Sequence, residues 1–141
     1  MNVHAIPEMP LITPGDDLAA IIIDALDSSK FEVSDGDILV IAQKIVSKSE
    51  NRYVDLATVT PSPQTRELAA KVAKDPRLVE LILSESSEVL RAAPGVLVVV
   101  HRLGYVMANA GIDRSNLAPN EAGREHVLLL PENPNAACAR M

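Results

Sequence analysis

The 141-residue sequence predicts a mixed α and β fold of the α+β type, for three reasons. Apolar residues recur at helical spacing in three segments. Short apolar runs bounded by turn residues indicate strands. A hydrophobic content of 48% is enough for a sizeable core, which must be aliphatic because only one phenylalanine and two tyrosines are present. The length suits one domain or part of a larger one.

The first third of the chain is expected to contain a strand, a helix and a second strand. Val3–Ile6 has the pattern of a short strand. Asp16 is placed to cap a helix whose apolar residues recur from Leu18 to Leu26. Ser34–Asp37 is typical of a turn, and the continuous apolar run Ile38–Ala42 after it indicates a strand buried on both faces.

Two further helices are predicted in the middle of the chain. Arg52–Leu56 has the pattern of a short strand, and Ser62-Pro63 then places a capping residue before a proline at the first helical position. Asp75-Pro76 repeats this start. The apolar stripe of the second helix is expected to continue as far as Val89, with Pro94-Gly95 ending it.

The last third is expected to be mostly strands. Val96–Arg102 and Tyr105–Asn109 flank Leu103-Gly104, which predicts a tight β-hairpin. Val127–Leu130 indicates a final strand, and Asn133-Pro134 announces a short helix near Met141. A helix of so few residues is marginal by itself because helix nucleation is costly.

Composition excludes several classes of function. With 13 basic and 19 acidic residues the net charge is -6, which argues against nucleic-acid or anionic-membrane partners. The single cysteine excludes an internal disulfide framework and a cysteine zinc cluster. No apolar run approaches the roughly 20 residues of a membrane span, and the N-terminus lacks the basic start of a signal peptide. These observations predict a cytoplasmic protein.

Familiar catalytic and ligand-binding motifs are missing from the sequence. It contains no phosphate loop, no dinucleotide-binding glycine motif and no nucleophile elbow. His4, His101 and His126 are not at paired metal-ligand spacing, so each is expected to be a surface or hydrogen-bonded histidine rather than a ligand. Two polar segments remain as candidates.

The first candidate segment is Gln43–Lys48, directly after the predicted buried strand. Polar side chains at the end of such a strand can project into a ligand-binding cleft. A lysine there acts as a point charge on phosphate oxygens. The alternative is a solvated turn carrying two ordinary surface lysines, and spacing alone leaves both interpretations open.

The second candidate segment is Asn109–Asn116, in which small residues are followed by Asp113, Arg114, Ser115 and Asn116. Asp113 could bind a hard divalent cation, because such cations prefer oxygen ligands and often bridge phosphates. Asn116 could hydrogen-bond a nucleotide. The alternative is an Asx-turn in which both side chains bond their own backbone. One carboxylate is too few for a dedicated metal cage, so phosphates or other residues would have to complete the site.

The order and spacing of six blocks resemble the coenzyme F-420:L-glutamate ligase (coenzyme F-420-0 gamma-glutamyl ligase) family. The blocks are Met9–Ile12, Pro14–Leu18, Asp35–Lys48, Ser84–Leu90, Asn109–Asn116 and Leu128–Pro131. The resemblance implies a mixed α/β homodimer that adds L-glutamate to coenzyme F-420-0. It also implies GTP as co-substrate, Mg²⁺ or Mn²⁺ and in addition K⁺, and activation of the substrate carboxylate as an acyl phosphate.

The same resemblance assigns site residues at the matching positions. It implies that Met9, Pro10, Leu11 and Ile12 line the GTP site, and that Gln43, Lys44 and Lys48 contact the nucleotide, with Lys48 facing phosphate. Asp113 would be a metal ligand and Asn116 a nucleotide contact. No side chain is assigned a catalytic role.

Family ligases continue beyond the last matching block, with an Asp-Thr pair that supplies further metal ligands. We therefore expect residues 1–141 to be the N-terminal portion of the ligase domain, truncated before the C-terminal part. Two functions stay open for such a chain. It is either a portion of a GTP- and metal-dependent glutamate ligase, or a non-catalytic nucleotide- or partner-binding remnant of the ligase fold.

Overall fold

A computed structural model describes residues 2–29, 31–114 and 125–141. Its helices are Leu18–Ser29 (α1), Gln43–Ser49 (α2), Pro63–Val72 (α3), Pro76–Ser84 (α4) and Pro134–Arg140 (α5). Its strands are Tyr53–Asp55 (β1), Ser86–Ala93 (β2), Val96–His101 (β3), Val106–Ala108 (β4) and His126–Leu128 (β5). Short 3-10 turns cover Leu56–Thr58 and Asn109–Gly111. The predicted mixed α+β class is confirmed.

The described elements form two compact units. The first comprises the residues up to Arg52 together with Pro131–Met141, and the second comprises Tyr53–Leu130. The first unit contains α1, α2 and α5, while all five strands belong to the second unit. None of the helices in the described ranges has the length and apolarity needed to cross a bilayer.

The core of the first unit joins α1, α2 and α5 through a small aliphatic cluster. Its buried members are Ile12, Leu18, Val46 and Ala137. Ion pairs reinforce this unit at its edge: Arg52 Nη1 lies 3.1 Å from Glu132, and Arg140 Nη2 lies 3.0 Å from Glu50. The predicted short helix at Asn133-Pro134 is therefore confirmed as α5, which tertiary contacts stabilise despite its seven residues.

The second unit contains two antiparallel sheets. β1 pairs with β5, with Tyr53 opposite Leu128. The other sheet has the order β2-β3-β4. Its β3 alternates between core and surface, so that Leu97, Val99 and His101 are buried. Helices α3 and α4 contribute Ala69, Val72, Leu78, Val79 and Ile82 to the same core as β3.

Local capping chemistry explains the starts of α3 and α4, as predicted. The hydroxyl of Ser62 accepts a hydrogen bond from the Thr65 N–H at 3.2 Å, and Pro63 occupies the first helical position. Asp75 caps α4 in the same way, accepting from the Arg77 N–H at 2.8 Å. The predicted strand at Arg52–Leu56, the hairpin around Leu103-Gly104 and the final strand are also confirmed, the last as β5.

The predicted helical stripe through Val89 is wrong. Helix α4 ends at Ser84, and Val89 lies in β2. Pro94-Gly95 is the turn of a β2–β3 hairpin rather than a helix stop, and Gly95 has a φ of +77° that suits such a turn. Pairing along the whole of β3 satisfies the β2 backbone, which outweighs the local helical pattern.

Three predictions at the N-terminal end are also wrong. Val3–Ile6 forms no strand, and Asp17 rather than Asp16 caps α1 by accepting from the Ala20 N–H at 3.2 Å. Asp16 instead accepts from the Thr13 N–H at 2.7 Å in the preceding turn. The predicted buried strand at Ile38–Ala42 has no regular structure here, although the turn before it is present. The described residues of the first unit do not cover that run on both faces.

Removing the charge of Asp75 should reveal a pH-dependent contribution to stability. Hydrogen bonds from the Arg77 side chain, the shortest at 2.6 Å, hold the pKa of Asp75 below its ordinary value of 3.8. A carboxyl with a lowered folded-state pKa stabilises the fold above its unfolded pKa and loses that contribution as pH falls through the folded one. Asp75→Asn keeps an N-cap acceptor but removes the ion pair.

We therefore expect wild type to be more stable than Asp75→Asn at pH 7 and the two proteins to converge as the pH falls through the lowered pKa of Asp75. Urea unfolding at a series of pH values measures this difference. A gap between the two free energies of unfolding that stays constant with pH would show that the charge of Asp75 contributes nothing.

Candidate functional site

The predicted nucleotide contacts Gln43, Lys44 and Lys48 all lie on α2, in the first unit. This segment is a helix and not a turn. That its lysines contact a nucleotide, and are not ordinary surface lysines, stays a prediction. Lys44 and Lys48 are four residues apart and therefore lie on one face of the helix, where both are partly exposed. Two lysines on one helical face place positive charges side by side, which is the kind of surface that a polyanionic ligand prefers.

The carboxamide of Gln43 is held by a hydrogen bond inside the same helix. Its Nε2 donates to the Oγ of Ser47 at 2.6 Å. Ser47 is completely buried, so its hydroxyl is a fixed acceptor one turn away. One N–H of this amide is used in the bond to Ser47, so the carboxamide oxygen and the second N–H of Gln43 remain for a ligand. Sequence analysis did not single out Ser47, whose spacing of four from Gln43 was the available signal.

The segment Met9–Ile12 has no regular structure but is anchored beside α2. Ile12 is buried in the same aliphatic cluster as Val46 of α2, whereas Leu11 is 91% exposed. A backbone hydrogen bond of 2.9 Å from the Gly15 N–H to the Ser49 carbonyl ties the next part of the loop to the C-terminal end of α2. The structure thus brings the first predicted GTP-site segment and the α2 segment together within one unit.

Asp113 lies in the second unit, where it pairs with β5 after a turn with an unusual backbone conformation. Asn109, Ala110 and Gly111 have three consecutive positive φ angles of 52°, 52° and 69°. After this turn, Asp113 exchanges two backbone hydrogen bonds of 2.9 Å with Leu128. Because its backbone is paired to β5, the position of the partly exposed Asp113 is set by the sheet and not by a surface loop.

The role of Asp113 as a metal ligand stays a prediction. Within residues 2–29, 31–114 and 125–141, no three His, Cys, Asp or Glu side chains are grouped to hold a metal ion. A single carboxylate fits a Mg²⁺ or Mn²⁺ ion that also takes oxygen ligands from phosphates, as the sequence analysis required. Asn116 and the alternative Asx-turn involve positions outside the described residues.

His101, one of three histidines given no ligand role, proves to be part of a buried polar cluster. Its Nδ1 accepts from the Leu103 N–H at 3.0 Å, and its Nε2 lies 3.4 Å from Glu85 Oε2. The same carboxylate oxygen accepts from Arg102 Nε at 3.1 Å. This cluster holds the β3–β4 turn against the start of β2, so the expectation of a hydrogen-bonded histidine is confirmed.

The sequence that adopts this α+β fold is similar to a known family. Residues 7–141 match the family model described as F420-0:Gamma-glutamyl ligase. Since this match covers nearly the whole sequence, the chain belongs to the F420-0:gamma-glutamyl ligase family.

Individual relatives support the same assignment. A coenzyme F420:L-glutamate ligase from Methanothermobacter thermautotrophicus is 43% identical, with 94% of this chain and 51% of the relative covered. Ligases of the same name from Methanopyrus kandleri and Halobacterium salinarum are 36% and 39% identical, with all of this chain covered and 52% and 54% of the relatives. The chain therefore spans about half the length of these curated relatives.

Proposed function

We propose that this chain supplies the nucleotide-binding part and one metal ligand for the ligation of L-glutamate to coenzyme F-420. The family match over residues 7–141 carries this proposal, because the relatives are named for that ligation. The enzyme would be a GTP- and metal-dependent acid–amino-acid ligase that works as a cytoplasmic homodimer. GTP, the divalent cation and K⁺ as an additional ion are parts of the proposal.

The proposed chemistry divides a difficult condensation into two steps. The γ-phosphoryl group of GTP passes to an oxygen of the substrate carboxylate, which yields GDP and an acyl phosphate. The amino group of glutamate then attacks the carbonyl carbon, loses a proton and displaces inorganic phosphate. Both steps place negative charge on phosphate oxygens, so positioning and charge neutralisation are what the protein must provide.

The residues that the family resemblance assigns have distinct roles in this scheme. Lys44 and Lys48 place positive charge beside the nucleotide, and Gln43 offers a carboxamide oxygen whose direction Ser47 sets. Asp113 would hold the divalent cation, which neutralises phosphate charge when it is bound. The loop containing Met9, Pro10 and Leu11 would border the nucleotide, with Ile12 as its buried anchor.

Ligation itself is the direct test of the proposed function. The chain is incubated with coenzyme F-420-0, L-glutamate, GTP and Mn²⁺, alone and together with the part of the Methanothermobacter ligase outside its match. We expect a product heavier by one glutamyl residue, together with GDP and phosphate, in the combined reaction. Mass spectrometry detects that product, and its absence with both ATP and GTP would contradict the proposal.

Replacing Lys48 by Ala should weaken nucleotide binding about tenfold, because one charge-assisted contact to phosphate is lost. Lys48 is partly exposed and lies at the end of α2, so the fold should be retained. Calorimetric titration of the chain with GTP measures the change in Kd. Lys71, which lies near the end of α3, provides a matched lysine-to-alanine control. Equal affinities for wild type and Lys48→Ala would exclude the phosphate role.

The alternative function is a non-catalytic nucleotide- or partner-binding remnant of the same fold. One observation favours it: in the part of the chain that the structure describes, Asp113 has no second and third carboxylate or imidazole grouped with it as ligands. A remnant would bind GTP, and Lys48→Ala would bind it more weakly, but it would release neither GDP nor a glutamylated product. The ligation experiment therefore separates the two functions.

A further inference from the structure

Residues 38–41 form an apolar segment that the first unit leaves largely uncovered. Ile38 and Val40 are 86% and 88% exposed, whereas Leu39 is 49% exposed and Ile41 packs against the core of the first unit. Ile38 and Val40 are therefore more exposed than Leu39 and Ile41. Burial that alternates in this way is typical of a β-strand with one face toward a core. The face that contains Ile38 and Val40 is the uncovered one.

The backbone of this segment is also unpaired. Among the described residues, no backbone hydrogen bond involves the N–H or carbonyl groups of residues 38–41. Both ends are nevertheless anchored. Asp37 closes the preceding turn, where its N–H donates to the Ser34 carbonyl at 3.1 Å, and Ala42 accepts from the Ile45 N–H at 3.1 Å as α2 begins. A short apolar run held at both ends with free backbone groups is a template for strand pairing.

We propose that residues 38–41 are the docking site for a β-strand from the part of the ligase fold that the relatives carry outside their match to this chain. The inference rests on family membership and is independent of the proposed GTP chemistry. Strand addition would pair the backbone groups of residues 38–41, and apolar side chains of the added strand would cover Ile38 and Val40.

The length of the relatives indicates where the added strand comes from. The matched stretch covers 51% to 54% of the ligases from three archaea, so each of them has about as many residues again outside it. A run of five consecutive apolar residues at Ile38–Ala42 is the pattern of a strand covered on both faces. Among the described residues of the first unit, only Ile41 of this run packs against the core, and Leu39 stays half exposed.

Co-expression tests the proposal. The tagged chain is produced with the part of the Methanothermobacter thermautotrophicus ligase outside its match, and the complex is analysed by light scattering and amide hydrogen exchange. We expect a one-to-one complex in which the amides of residues 38–41 exchange at least about a hundredfold more slowly than in the chain alone. Failure to co-purify, or unchanged exchange at these amides, would overturn the proposal.

Two substitutions locate the contact. Ile38→Glu and Val40→Glu should each weaken the complex by about tenfold or more, because each places a charge where an apolar side chain is to be buried. Val106→Glu is the matched control, since Val106 is 63% exposed on β4 of the other unit. Circular dichroism of each variant alone checks that the chain still folds, as the high exposure predicts.

Two outcomes would contradict the proposal that a strand from the remaining part of the ligase fold docks at residues 38–41. If both glutamate variants bind the partner as tightly as wild type and Val106→Glu, the docking surface lies elsewhere. If the chain alone forms a dimer in which residues 38–41 are already protected, the occupant is a second copy of this chain. Neither result would bear on GTP turnover, so the proposed function is tested separately.

Discussion

Asp113→Asn is expected to lower cation-dependent GTP turnover by at least about a hundredfold in the ligase assembled from this chain and the remaining part of a relative. The substitution is nearly isosteric but removes the negative charge that holds a divalent cation. Asp113 is tied to β5 through its backbone, with two hydrogen bonds of 2.9 Å to Leu128. The fold should therefore survive the loss of the carboxylate.

Turnover of GTP is measured over a range of Mn²⁺ and Mg²⁺ concentrations. Asp35→Asn serves as a matched control, because Asp35 is an exposed turn residue in the first unit. We expect higher cation concentrations to restore part of the activity of Asp113→Asn, as a weakened metal site requires. If turnover and its dependence on the cation are unchanged, Asp113 is a turn residue and the metal hypothesis is wrong.

Gly111→Ala is expected to destabilise the second unit by about 2–4 kcal/mol. Gly111 has a φ of +69°, which disfavours any residue with a Cβ atom. A Cβ atom at this position would lie 2.9 Å from the sulfur of Met107 and 3.1 Å from a methyl group of Leu130. Both the backbone strain and the crowding of these side chains oppose the substitution.

The two contributions can be separated with a second glycine. Gly95 has a similar φ of +77°, but a Cβ atom there would meet nothing within 4 Å. Gly95→Ala should therefore show only the backbone cost of about 1–2 kcal/mol. Denaturant unfolding of both variants measures the difference, and equal destabilisation would show that the contacts with Met107 and Leu130 adjust freely.

Elements whose stability is decided within a few residues could be predicted from the sequence. Ser62-Pro63 and Asp75-Pro76 combine a capping side chain with a proline at the first helical position, and α3 and α4 begin there. Asn133-Pro134 announces α5 in the same way. The β3–β4 hairpin was predicted from Leu103-Gly104 between two apolar runs, and the strands it joins end at His101 and begin at Val106. In each case the hydrogen-bond partners lie within about four residues.

Two segments that depend on distant partners were predicted wrongly. Val89 and its neighbours match a helical stripe, yet they form β2 because β3 offers backbone partners along its whole length, with two irregularities in the register. Ile38–Ala42 has the pattern of a buried strand, yet no strand forms there. Such a segment becomes a strand only when a neighbouring strand pairs with it, and the pattern itself cannot say which strand that is.

The candidate site shows the same division. The resemblance of sequence motifs to the family pointed to Lys48 and Asp113. A lysine suits a phosphate contact and an aspartate suits a metal ligand by residue type alone. The hydrogen bond that orients Gln43, which depends on the burial of Ser47, required the packing of α2. The pairing of Asp113 with Leu128 joins residues 15 positions apart and could not be read from either one.

By itself the sequence determined the mixed class of the fold, the capped helices, the family and the residue types available for chemistry, because these depend on local patterns and on motif order. Only the tertiary structure decided that β2 is a strand, that Ser47 is a buried acceptor and that Ile38 and Val40 face outward. Burial and strand pairing depend on residues that are distant in the sequence. A local pattern therefore shows which structures a segment can adopt, and its tertiary partners determine which one it adopts.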